Sequence, residues 1–190
     1  MIEALRNAFK LPDLRRRMLY TLLILVIWRL ASNIPVPGVD RQALEQFLAG
    51  GSATGRLINL IDMLSGGAIA NFSVLAAGVS PYVTASIVLQ LLVPIFPSLE
   101  KKLKEEGEAG QRKMNQWTFF LTVPLALLYS FGLAQALSAQ ANILPNFGFS
   151  GGNVLSTITI LLTMTAGTMF GVWLGEMITE QGVGNGLSLI

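Results

Sequence analysis

Residues 57–97 hold an apolar stretch long enough to cross a membrane, yet it is dotted with residues that weaken a simple spanning helix. It opens Leu57-Ile58-Asn59-Leu60-Ile61-Asp62-Met63-Leu64-Ser65-Gly66-Gly67. After Ala68-Ile69-Ala70-Asn71-Phe72-Ser73 it continues as VLAAGVSPYVTASIVLQLLVPIFP to Pro97. The first piece, roughly nine residues to Ser65, would reach about 14 Å as a helix, half of a hydrocarbon core about 30 Å thick. The second is full length but carries Gly78, Ser80, Pro81, Thr84, Ser86 and Gln90. Lipid offers no partner for freed backbone groups, so a half-helix and a Pro-bearing helix belong inside protein or beside water. The pattern points to a pathway through the membrane, not to an anchor.

Composition narrows the class. The chain is 52% hydrophobic and only 13% charged, against roughly 25% charged in soluble domains. An integral membrane protein with little mass outside the bilayer is expected. No Cys is present, which removes a disulfide framework and thiolate metal sites. No His is present either, and with it goes the commonest general base and the Ser-His and Cys-His arrangements. Arg15-Arg16-Arg17 before an apolar run superficially resembles a signal peptide. No A-x-A cleavage site follows and more apolar segments come later, so a retained first helix is expected.

Along the chain, a cytoplasmic segment is expected at 1–17, a first spanning helix at 18–34 and an external loop at 35–56. A half-helix at 57–73 leads into a second spanning helix at 74–96. A cytoplasmic loop at 97–115 precedes a third helix at 116–138, an external loop at 139–152 and a fourth helix at 153–177. Residues 178–185 form a cytoplasmic connection, and a fifth helix starts at 186–190, an ending that reads as a fragment of a longer chain. Orientation follows from Lys and Arg placement. Arg6, Lys10, Arg15, Arg16 and Arg17 precede the first helix, and Lys101, Lys102, Lys104, Arg112 and Lys113 lie between the second and third. These are ten of the thirteen basic residues. They share one side, the cytoplasmic one, only if the half-helix does not cross.

Single motifs carry less. Asp62 is an acidic residue inside an apolar stretch, which makes it a functional candidate, or a residue in a water-filled funnel where its charge costs little. Gly167, Gly171 and Gly175 form a GxxxGxxxG stripe that allows close helix approach and says nothing about chemistry. Thr157, Thr159, Thr163, Thr165 and Thr168 mostly bond their own helix backbone. Arg29 near the end of the first helix snorkels to the interface. The mixed charges of residues 100–113 read as a solvated loop, with a docking surface for a cytoplasmic partner as the alternative. No G-x-x-x-x-G-K-[ST] is present. Gly182-Val183-Gly184-Asn185-Gly186 lacks dinucleotide-fingerprint spacing and reads as a tight connection.

Several long strings, in one order, resemble the N-terminal part of the SecY family, the channel subunits of the bacterial Sec protein translocase. They are IPVPGVD at 34–40, DMLSGGAIANFSVLAAGVSPYVTASIVLQLL at 62–92, KKLKEEGEAGQRK at 101–113 and GTMFGVWLGEMITEQGVGNGLSLI at 167–190. The resemblance implies an all-α integral membrane protein, the N-terminal half of a pseudo-symmetric ten-helix channel with a half-helix plug. It places the plug on Ile61, Asp62, Met63, Leu64, Ser65, Gly66, Gly67, Ala68, Ile69, Ala70, Asn71 and Phe72. It places the pore ring on Val79, Val83 and Leu187, where the family often has the larger isoleucine. Thr84 falls on the lateral-gate face, and Tyr129 aligns with a polar gate position of some relatives.

By the same resemblance the partners are SecE and SecG subunits, a SecA motor or a translating ribosome, signal sequences, nascent polypeptides and the lipid bilayer. Nucleic acid enters only as ribosomal RNA contacted by the intact channel. The localisation implied is the bacterial plasma membrane, multi-pass, with the N-terminus cytoplasmic; neither catalytic residues nor a cofactor or metal is implied. Val79 and Val83 are four apart and share a helix face, and a narrow apolar ring blocks ions by dewetting. Gly66-Gly67 would let the half-helix swing, while Gly78 and Pro81 would interrupt the helix that follows. The rival from residues alone is a secondary transporter with discontinuous helices, in which Asp62 would coordinate a coupling ion. An intramembrane protease is disfavoured by the missing His and the lack of a Ser–Lys or paired-Asp arrangement.

Overall fold

Proline and small polar residues, more than apolar runs, decide where each helix begins and ends. The computed structural model describes residues 12–49, 60, 71–96, 107–141, 143–144, 147–148 and 153–190. Helix α1 spans Pro12–Ala31. Proline is pre-set for a first helical turn and Asp13 offers a negative charge there, while Arg29 faces the negative end of the helix dipole. Its spanning part was expected at 18–34. The helix stops at Ala31 because Ser32 Oγ and Asn33 Nδ2 both donate to the Arg29 carbonyl, each at 2.8 Å, ahead of Pro35 and Pro37.

Helix α2, Arg41–Ala49, lies beyond the turn. Asp40 caps it, its Oδ1 accepting from the Gln42 amide at 2.9 Å and the Ala43 amide at 3.2 Å. Helix α3 spans Ser80–Ile95, α4 spans Glu108–Ala141, α5 spans Val154–Gln181 and the short α6 spans Gly186–Leu189. The second spanning helix was expected from residue 74, with Gly78 and Pro81 interrupting it. Instead these two residues set its start. Ser73 Oγ accepts the Leu75 amide, the Gly78 amide donates to the Leu75 carbonyl at 2.8 Å, and Gly78 takes φ +56°. Pro81 then fills the first helical turn, where its missing N–H costs nothing. The third and fourth helices run longer than the spans expected at 116–138 and 153–177, because charged and polar residues at their ends extend the helix past the apolar part.

Two apolar clusters lie at opposite ends of α5. One joins Ile160 and Met164 to Ala134 and Leu137 of α4, Leu44 of α2, and Val36, Phe72, Ala77, Ile143 and Leu144. The other joins Leu174 and Ile178 to Ile24 of α1, with Tyr20, Trp28 and Ile190 packed around it. A β-bridge, Pro35 with Ser73, ties the end of α1 to the approach to α3. The Val36 amide donates to the Phe72 carbonyl and the Val74 amide to the Ile34 carbonyl, both at 3.0 Å.

The helices α4 and α5 are long and apolar enough to cross a membrane over Ala109–Ala139 and Val154–Gln181. Large apolar side chains face outward on every long helix, among them Leu22 and Leu30 on α1, Ile87 and Leu91 on α3, Phe120 and Leu128 on α4, and Leu155 and Leu162 on α5. Water would penalise such a surface heavily; a bilayer does not. Among the described residues there is no β-strand, and the architecture is an all-α membrane helix bundle.

Candidate functional site

The glycine stripe of α5 organises the site. A Cβ placed on Gly167 would collide with the backbone carbonyl of Val74. One placed on Gly171 would stand 2.6 Å from Trp28 Cζ3 and 3.7 Å from Val79 Cγ1. One placed on Gly175 would stand 2.8 Å from Leu187 Cδ2. The stripe is therefore a groove one atom deep, and it accepts backbone at one end, Val79 and Trp28 in the middle and Leu187 at the other end. Spacing predicted a close helix neighbour. It did not reveal that the neighbours are a turn, an indole and the first residues of α6.

Val79 and Leu187, far apart in sequence, are thus brought to successive turns of one helix face. Val79 is the residue before α3 and is half-buried; its carbonyl accepts both the Tyr82 and the Val83 amides at 3.1 Å. Val83 lies one turn further along α3 and is 44% exposed. The two valines keep their one-turn relation, although Val79 belongs to the entry of the helix and not to its body.

The connection behind Leu187 is rigidly bonded. Asn185 Oδ1 accepts from the Leu187 and Ser188 amides at 3.1 and 3.4 Å, capping α6. Thr179 Oγ1 accepts from the Gly186 amide at 2.9 Å, and Thr21 Oγ1 of α1 accepts from the Val183 amide at 3.1 Å. Gly184 adopts φ +82°, a conformation glycine takes without strain. The sequence 182–186 is a tight connection held at three points, and Leu187 is delivered to Gly175 by it.

A second surface lies between α3 and α4. Pro81 and Thr84 of α3 and Leu125, Leu128, Tyr129, Gly132, Leu133 and Ala136 of α4 line an open groove of about 520 Å3. Thr84 and Tyr129 are thereby placed in one groove. Thr84 Oγ1 donates to the Ser80 carbonyl at 2.9 Å, so its hydroxyl hydrogen is used by its own helix and its lone pairs face outward. The groove is otherwise apolar and open to the surface, a shape that fits an apolar helix or lipid chain better than a polar solute.

Of the expected plug, Ile61, Asp62, Met63, Leu64, Ser65, Gly66, Gly67, Ala68, Ile69 and Ala70 lie outside the described residues. Asn71 is exposed, and its amide reaches Asn33 Oδ1 at 3.4 Å. Phe72 is 0% exposed, packed in the first cluster, with φ +42°. A bulky residue holds that conformation only where its surroundings over-determine it. No signal in the sequence marked Phe72 as an anchor. The approach of backbone to Gly167 and the bridge at Ser73 are tertiary features.

The fold and these surfaces define a class: a polytopic helical membrane protein whose helices leave a bonded apolar face inside and an open groove outside. The SecY family model matches residues 73–190. The chain is 44% identical over 198 residues to the protein translocase subunit SecY of Streptomyces galbus, covering 100% of this chain and 44% of the relative. It is 43% identical over 195 residues to the protein of that name from Aquifex aeolicus, and 41% identical over 196 residues to that from Corynebacterium glutamicum. These alignments cover all of this chain, and 44% and 43% of the two relatives. The chain belongs to the SecY family, and it spans less than half the length of these curated relatives.

Proposed function

We propose that this chain is the N-terminal part of a protein-conducting channel subunit that passes unfolded polypeptides across the plasma membrane and releases apolar segments sideways into lipid. Family membership supports the class of activity. The observation that carries the pore assignment is the convergence of Val79 and Leu187 on one face of α5, with Val83 one turn beyond and open. Packed on one side and free on the other, these three side chains supply part of an apolar ring. Such a ring excludes ions by dewetting while a polypeptide pushes through.

The plug reading assigns Ile61 to Phe72 as the stopper, with Asp62 a plug residue. The buried Phe72 would be its fixed end. The lateral gate reading places Thr84 and Tyr129 on the gate wall, in the groove they share. Partners would be SecE and SecG subunits, and the driving energy would come from a SecA motor or a translating ribosome, because no nucleotide-binding motif is present in these 190 residues. The N-terminus and the loop around 97–115 would be cytoplasmic by the distribution of Lys and Arg. No step of this function is catalytic.

The test is disulfide trapping in the full-length channel, with cysteine at position 79 or 83 and a secretory substrate stalled in transit that carries a cysteine of its own. Both positions should cross-link to the substrate; absence of contact from either one sinks the pore assignment.

A further inference from the structure

Two buried hydroxyls, one on α4 and one on α5, are left unexplained by the rest of the fold. Ser130 on α4 and Thr168 on α5 are both 0% exposed, and neither Ser130 Oγ nor Thr168 Oγ1 has a hydrogen-bond partner. Thr168 breaks the habit of its own helix. Thr157, Thr159, Thr163, Thr165 and Thr179 each donate to the carbonyl four residues earlier, at 2.7–3.1 Å. Thr168 Oγ1 makes no such bond.

Register brings the two together. Ala134 and Leu137 of α4 share a cluster with Met164 and Ile160 of α5, so the end of one helix packs on the beginning of the next, as in an antiparallel pair. Four residues back along α4 from Ala134 lies Ser130, and four residues forward along α5 from Met164 lies Thr168. Steps of four keep a residue on the same face. This register would set the two hydroxyls opposite one another across the interface. Along α4, Thr118, Thr122, Ala126, Ser130 and Ala134 are small buried residues at intervals of four, and such residues let helices approach closely.

Neither hydroxyl bonds the other, and both are closed to bulk solvent. A buried polar atom without a partner is costly, and two facing ones are the lining that an internal water requires. We propose that Ser130 Oγ and Thr168 Oγ1 bind one internal water molecule that bridges α4 to α5. The water accepts from one hydroxyl, donates to the other and retains a hydrogen for a carbonyl of either helix. It makes α4 and α5 one rigid unit at mid-helix. Tyr129, the neighbour of Ser130, lies on the wall of the outer groove, so the bridge also fixes the rotation of α4 that presents that wall.

The experiment uses the complete protein in detergent or lipid. Ser130→Ala and Thr168→Val each remove one partner, and each should lower the thermal midpoint by roughly 2 °C. The double variant removes both and should return to within about 1 °C of the parent, since two matched apolar groups leave nothing unsatisfied. Singles that melt at or above the parent, with additive effects in the double, overturn the bridge. Should a single variant fail to accumulate, Thr168→Ser, which keeps the hydroxyl, must accumulate and melt above Thr168→Val. A Thr168→Ser protein no better folded than Thr168→Val overturns the role of the hydroxyl. A high-resolution structure should place ordered density within about 2.6–3.2 Å of both oxygens; a direct hydroxyl–hydroxyl bond there, or no density, overturns the proposal.

Discussion

Replacing Gly167 with alanine is the sharpest test of how the inner face is built. Alanine is intrinsically favoured in a helix, by about 1 kcal/mol over glycine, so an unobstructed Gly→Ala change in α5 should stabilise the protein. At Gly167 the new methyl would collide with the Val74 carbonyl, its carbon only 2.6 Å from the carbonyl carbon and 3.4 Å from the Leu75 nitrogen. Moving that carbon from 2.6 Å to an ordinary 3.4 Å contact requires a shift of at least about 0.8 Å. The obstacle is backbone, and it is pinned by the Val74 amide donating to Ile34 and by the Pro35–Ser73 bridge. Overpacking of this kind costs about 1–3 kcal/mol, which outweighs the propensity gain. Gly167→Ala should therefore lower the midpoint of thermal unfolding, followed by tryptophan fluorescence of the full-length protein in detergent micelles. The control is Gly132→Ala on α4, where a Cβ meets nothing within 4 Å. It should raise the midpoint. A Gly167→Ala protein as stable as the parent, or less affected than Gly132→Ala, would refute the close approach of residue 74 to α5.

Two further outcomes follow from single residues. Phe72→Ala empties a fully buried site in the first cluster and should cost about 3–5 kcal/mol, read as a fall in the same unfolding midpoint; a loss below about 1 kcal/mol would mean that Phe72 is no anchor. Asn185→Ala removes the acceptor for the Leu187 and Ser188 amides and should destabilise the start of α6 by about 1 kcal/mol. Hydrogen exchange at those two amides should quicken, and unchanged exchange would count against the cap.

The residues made the class of this protein legible. An apolar chain with few charges, no His and no Cys could only be a membrane helix bundle without the common catalytic arrangements, because helices are the only such elements whose backbone bonds close without water or a barrel. The strings around 34–40, 62–92 and 167–190 pointed to the family that the comparisons bear out. Pro81 was legible as a special residue, but its effect was read as interruption when it is initiation. Proline disturbs a helix interior and favours the first turn, and only the turns at Ser73 and Gly78 decide which applies. The glycine stripe was legible as a surface for close approach, but its partners were not, since residues 74, 28 and 187 are remote from it in sequence.

Sequence by itself determined which segments are apolar, where small residues leave room and which hydroxyls are available, because these are properties of residue type and spacing. The tertiary structure alone decided what occupies the room: the Val74 carbonyl against Gly167, Val79 and Trp28 against Gly171, and Leu187 against Gly175. It alone also left the hydroxyls of Thr168 and Ser130 buried without a hydrogen-bond partner. A one-dimensional pattern gives each helix a face, whereas the partner of that face depends on how turns such as 71–79 and 182–185 fold back, and those turns are held by hydrogen bonds to residues distant in the chain, Ile34 and Val36 for the first and Thr21 for the second.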